Sequence, residues 1–165
     1  MSTIKSTRIN NLRYSGKIAM VDNKTIAAPL VKAIADVLSD LHLPVLRFFK
    51  DLGVDKKILY SPHGRISEET FAKFMHFSHT QSNKLDLALI LGERLLPSAL
   101  GTLGFTLMTA ESYKDICYRT QKYQQHISSS YEVNINRYTN TYKLAYKINT
   151  AYSEATDFIM DFVMA

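Results

Sequence analysis

Apolar positions recur at helical spacing through residues 25–127, and the period drops to two after Tyr131. From Thr25, the residues Ile26, Leu30, Ala33, Ile34, Val37, Leu38 and Leu41 form one stripe, with Pro29 in the first turn. Lys32, Asp36 and Asp40 lie opposite it. Pro44 opens a short helix with Val45, Phe48, Phe49 and Leu52 inward and Gly53 as its stop. A connector over 54–66 holds one helical turn at 55–59 and a tight turn at 61–64. Ser67 then caps a helix whose first turn carries Glu68 and Glu69, with Ile66 and Phe71 as a hydrophobic staple. Its inward residues are Phe71, Phe74, Met75 and Ser78. Asn83 caps the next helix, where Leu85, Leu87, Leu89, Ile90 and Leu91 cover most of the circumference. That coverage predicts the central helix of the fold.

Residues 97–127 predict two helices meeting at a tight corner. Pro97 breaks the preceding helix, and Gly101 and Gly104 allow close approach of the apolar run from Leu103 to Met108. Thr109 is placed as a cap, and Tyr113, Ile116, Cys117, Thr120 and Ile127 share the stripe that follows. Next, Tyr131, Val133 and Ile135 alternate with polar residues, as do Tyr142, Leu144, Tyr146 and Ile148. The polar break at 138–140 makes these two runs an antiparallel hairpin. Ser153 caps a last helix with Ala155, Phe158, Ile159, Phe162 and Val163 inward, a stripe still running at Ala165. The expected class is α+β and predominantly helical, with about six to seven helices and a C-terminal antiparallel β-hairpin packed on them.

Charge divides the chain. Residues 1–24 are expected to form a basic arm, with a short strand near 16–21, and residues 25–165 a single domain. Four of the 20 basic side chains and none of the 15 acidic ones fall within residues 1–21, so the rest is nearly neutral. A folded nucleic-acid reader carries its positive charge on the body, because phosphate contacts supply most of the affinity. The helix from Val45 offers core residues where a reading helix needs Arg, Asn or Gln. No apolar run approaches the roughly 20 residues that span a bilayer, and no secretory h-region follows the N-terminal basic residues. A cytoplasmic location is the default expectation.

Catalytic motifs are missing from the sequence. It has no phosphate-binding loop and no Gly-x-Ser-x-Gly elbow, and Glu68-Glu69 is explained by the helix dipole. The single cysteine, Cys117, lies on an apolar stripe, where a thiol acts as a small hydrophobe. His76 and His79 stand three apart, with His63 and His126 elsewhere, but no carboxylate lies near to orient them. Neither a metal nor another cofactor is expected. The aromatic residues are the richer set, and Phe74, Phe105, Tyr113, Tyr118 and Tyr123 are the candidates to line a ligand pocket.

The wording of the corner carries a resemblance. The run Gly101-x-Leu103-Gly104-Phe105-x-Leu107-Met108, followed by a helix ending Gln121-Lys122-Tyr123, resembles the N-terminal, arabinose-binding-type domain of AraC/XylS transcriptional regulators. Leu52-Gly53-Val54-Asp55 and Gly64-Arg65-Ile66-Ser67 match the early part of that domain, and the hairpin falls where its sheet begins. The likeness spans about 26–165. Thr109-Ala110 stands where relatives carry Ser-Pro, and Lys122 where they carry Arg. The resemblance implies an effector-sensing and dimerising half of a regulator, a fragment that binds a small metabolite. DNA would be read by a C-terminal helix-turn-helix domain absent from this sequence. The alternative is a ligand-free helical module for protein interaction.

Overall fold

The computed structural model describes residues 24–82, 86–139, 141–148 and 161. The basic arm (Lys24 apart), the Asn83 cap with Leu85, and the final stripe from Ala155 to Val163 lie outside the described residues.

The chain enters through β1 (Thr25–Ala27), which pairs antiparallel with β2 (Arg65–Ser67), Ile26 facing Ile66. These residues were expected to begin a helix. Pro29 instead sets the first helical turn, so the β-branched pair Thr25-Ile26 stays extended before it. On its other edge Ile26 bridges Ser128, and the Ala27 amide donates to the Ile127 carbonyl at 2.7 Å. Arg65 fastens this seam. Its guanidinium donates to the Thr25 hydroxyl at 2.9 Å, the Thr25 carbonyl at 2.8 Å and the His126 carbonyl at 2.6 Å.

Helix α1 (Ala28–Asp40) is the central element. Ala28, Val31, Ile34 and Leu38 are fully buried, and Leu30 and Ala35 nearly so. It packs on α2 (Val45–Asp51), α3 (Lys56–Leu59), α5 (Leu87–Arg94) and a 3-10 turn at Pro97–Leu100. The expectation that the leucine-rich helix would be central is corrected: in α5 only Leu87, Ala88 and Leu91 are buried, and Leu89 is 47% exposed. The small side chains Ala28 and Ala35 let neighbours approach α1 from extra directions, and this buries Val31 as well.

An aromatic cluster joins α2 to α4 (Glu68–Ser82). The Phe48 ring lies 4.2 Å from Phe77 and 5.5 Å from Phe74, and Phe49 lies 4.7 Å from Phe74. Helix α4 buries Phe71, Phe74, Met75 and Ser78 as its sequence predicts. The Ser67 hydroxyl accepts the Thr70 amide at 3.2 Å, so the capping reading holds. Gly53 ends α2 with φ +67°, and Asp55 caps α3 by accepting the Lys57 amide.

Between α5 and the segment Pro97–Met108 the chain turns by 94°. Helix α6 (Gly101–Met108) ends at Thr109, and α7 (Tyr113–Tyr123) is capped by Ser112, whose hydroxyl accepts the Asp115 amide at 3.2 Å. Thr109, expected as a cap, instead closes α6 from its C-terminal end, because three residues separate it from the first turn of α7. A 3-10 turn at Gln124–His126 follows. Ile127 therefore lies beyond the α7 stripe and is buried by β1. The hairpin β3 (Tyr131–Arg137) and β4 (Tyr142–Ile148) pairs Val133 with Tyr146 and Ile135 with Leu144, and β3 packs on α7. The described residues thus contain seven α-helices and this C-terminal hairpin, an α+β fold of mainly helical content.

Candidate functional site: an open groove floored by the central helix

Pro29, Lys32, Ala33, Asp36 and Val37 are spaced to share one face of α1, and they form the floor of an open groove of about 620 Å³. One wall is the end of α3 and the turn after it, Leu59 to Pro62. The other is the end of α5 and the 3-10 turn, from Arg94 to Ala99. Leu59 is buried and anchors its wall, whereas Tyr60 and Leu96, 72% and 70% exposed, form the rim. The lining is mostly apolar with a few polar groups, as is usual for small-molecule sites.

The charges of the groove are partly matched. Lys32 and Asp36 form an i,i+4 pair at 2.5 Å. The Asp36 hydrogen bond raises the Lys32 ammonium above its ordinary value. The same ammonium stands 5.4 Å from the Tyr60 ring centroid, a cation–π contact. Arg94 has no ion pair or hydrogen bond among the described residues.

None of the five aromatic candidates lines this groove. Phe74 is fully buried in the α2–α4 cluster. Phe105 on α6 is 62% exposed. Only Leu103 and Gly104 of α6 are buried, since a two-turn helix at the surface hides one side. Tyr118 is exposed, and Tyr123 is half-buried with its ring 6.1 Å from His126. Tyr113 is also exposed but meets the hairpin. Cys117 is buried, and burial, helped by the nearby Tyr113 and Cys117, raises the Tyr146 hydroxyl above its ordinary value. Tyr146 in turn lies 6.3 Å from the Tyr131 ring. Burial pushes the Cys117 thiol up, and burial, helped by Tyr146, pushes Tyr131 up to about 12. Gln124 ties the strand to the turn before it. With its amide oriented to satisfy both ends, it donates to the Tyr131 carbonyl at 2.9 Å and accepts the Val133 amide at 3.3 Å.

His76 and His79 are exposed on α4, and no group of three or more metal-ligating side chains exists among the described residues. No single described helix is long and apolar enough to cross a membrane. The sequence did place Lys32 and Asp36 together on one side of α1, but it assigned Ala33 and Val37 to the core. Both are half-buried because the groove lies above them. A hint was available: apolar residues at 30, 31, 33, 34, 35, 37 and 38 form too broad a band for one packed stripe.

Fold and groove together describe a helical α+β chain with an open, mostly apolar cleft and, among the described residues, no assembled metal centre. The profile of the arabinose-binding domain of AraC transcription regulator, N-term, matches residues 43–165, and the chain belongs to this family. The family is a regulatory, effector-binding domain of transcription regulators. The match begins after α1, so the groove floor lies outside the matched residues. A search of curated proteins returned no match.

Proposed function

We propose that this chain is the effector-sensing domain of a cytoplasmic AraC-type regulator, binding a small metabolite and biasing a homodimer whose DNA contacts are made outside residues 1–165. Family membership over residues 43–165 carries this reading. The groove is its effector site, and the chain acts as a sensor, not as an enzyme. An effector shifts the regulator only through different affinities for two states. The wall that an effector would touch leads into the corner: the Pro97 turn packs on α6, α6 packs on α7, and α7 packs on the hairpin. Exposure of Phe105, Tyr113 and Tyr118 favours a role for them in protomer contact, while Phe74 lies in the core and Tyr123 packs against it. A thermal-shift screen over sugars, amino acids and carboxylic acids tests the sensor. A specific ligand at 100 times its dissociation constant adds about 2.7 kcal/mol. Silence from every class removes the effector role.

The same exposed residues favour a second reading, a ligand-free interaction module. Light scattering separates the two, since such a module dimerises or captures a partner without responding to any metabolite.

A further inference from the structure

Resting on the reading of the chain as an effector-binding domain, we infer that the groove takes a small amphipathic molecule with one carboxylate, its apolar body between Tyr60 and Leu96 and its carboxylate at Arg94. Three observations carry the inference. First, the floor and walls are chiefly apolar: Ala33, Val37, Leu59, Leu95 and Ala99 offer no side-chain hydrogen bond. A molecule with hydroxyls on every carbon would leave most of them unmatched there, which is costly. Second, the rim residues Tyr60 and Leu96 are large, apolar and exposed on opposite walls, so a chain or ring laid between them would remove both from water.

Third, the charge is unbalanced by one. The lining holds Lys32, Arg94 and Asp36, and Lys32 and Asp36 already satisfy each other at 2.5 Å. The Tyr60 ring face adds a second interaction that keeps the Lys32 ammonium in place. Arg94 is left as the cation without a partner among the described residues. A guanidinium matches a carboxylate with two parallel N–H···O bonds, which gives orientation as well as affinity. A ligand amine in the same place meets like charge from both Arg94 and Lys32.

The test uses the 165-residue chain and four probes, octanoate, octanol, octylamine and arabinose, each below any micelle-forming concentration, read by calorimetry and two-dimensional NMR. Octanoate is expected to bind most tightly, with amide shifts concentrated at 32–37, 59–62 and 94–99. Arg94→Ala is expected to weaken octanoate about tenfold, the scale of one charge-assisted hydrogen bond, and to leave octanol unchanged. Leu96→Ala, at an exposed position, weakens both alike. Equal affinity for octanoate and octanol, or octanoate binding unmoved by Arg94→Ala, overturns the carboxylate assignment. So does arabinose binding more tightly than octanoate at these residues. Shifts confined to other parts of the chain overturn the groove as the site while leaving an effector-binding domain standing. No binding by any probe, together with a silent metabolite screen, sinks the sensor reading itself.

Discussion

Gly104 faces the Pro97 carbonyl so closely that a Cβ on it would stand 1.6 Å from that oxygen. The contact is between backbones, so neither side can yield by changing a rotamer. It holds α6 against the turn that walls the groove, and it explains why this position in an apolar helix carries no side chain. Gly104→Ala is expected to cost about 2 kcal/mol or more in urea denaturation, as overpacking against rigid structure does. Gly53→Ala is the comparison. Its φ is +67° but nothing lies within 4 Å, so only backbone strain is added, about 1 kcal/mol. Equal losses at the two positions would show that the Pro97 contact is not the constraint.

Arg119 joins the two helices of the corner. It pairs with Asp115 through two nitrogens at 2.7 and 2.5 Å, and it donates to the Thr106 carbonyl and, at 2.8 Å, to the Thr109 hydroxyl. Both partners of the pair are only about a quarter exposed, 25% and 28%, so solvent screens them incompletely. Arg119→Lys keeps the charge and loses the fork, and is expected to cost about 1–2 kcal/mol. A double-mutant cycle with Thr109→Val should show coupling, whereas strictly additive losses would mean that the contact contributes little.

Phe74 and Phe105 look alike in the sequence and separate in the structure. Phe74→Ala empties the centre of the α2–α4 cluster and should cost about 3–5 kcal/mol. Phe105→Ala, at 62% exposure, should stay within about 0.5 kcal/mol. If Phe105 is instead a protomer contact, Phe105→Asp lowers the dimer fraction in light scattering with little change in monomer stability. An unaltered dimer fraction removes Phe105 from the interface.

Alkaline pH should loosen the hairpin. Tyr131 is raised from 10.0 to about 12, and Tyr146 and Cys117 are raised too, all chiefly by burial. Each loses its proton more easily in the unfolded chain than in the folded one. Stability is therefore intact below about pH 9 and falls as pH climbs towards 12, by on the order of 2 kcal/mol for Tyr131. Denaturation at pH 8 and pH 11 should show the loss, and Tyr131→Phe should reduce it. A flat profile would place the Tyr131 hydroxyl in water.

Local chemistry made much of this fold legible from residue order. Ser67 capping α4, Gly53 stopping α2, the Phe71–Ser78 face and the alternation that makes β3 and β4 all follow from interactions within a few residues. The family resemblance was carried by the same kind of local wording around Gly104 and Gly64, and the profile match agrees with it over most of its span.

What the sequence left open was which apolar surfaces meet. It favoured α5 over α1 as the centre, because α5 is apolar round most of its circumference while α1 carries Lys32, Asp36 and Asp40 opposite its stripe, yet burial depends on how many neighbours surround each helix. Nor could it place Thr25 in a strand, since the hydrogen bonds that hold it there reach Arg65 and Ser129, 40 and 104 positions away. The groove is of the same kind: Lys32, Tyr60 and Arg94 converge only once three separate stretches have packed. Spacing along a chain determines which side of an element is apolar, while long-range packing alone determines what that side touches and where a gap remains.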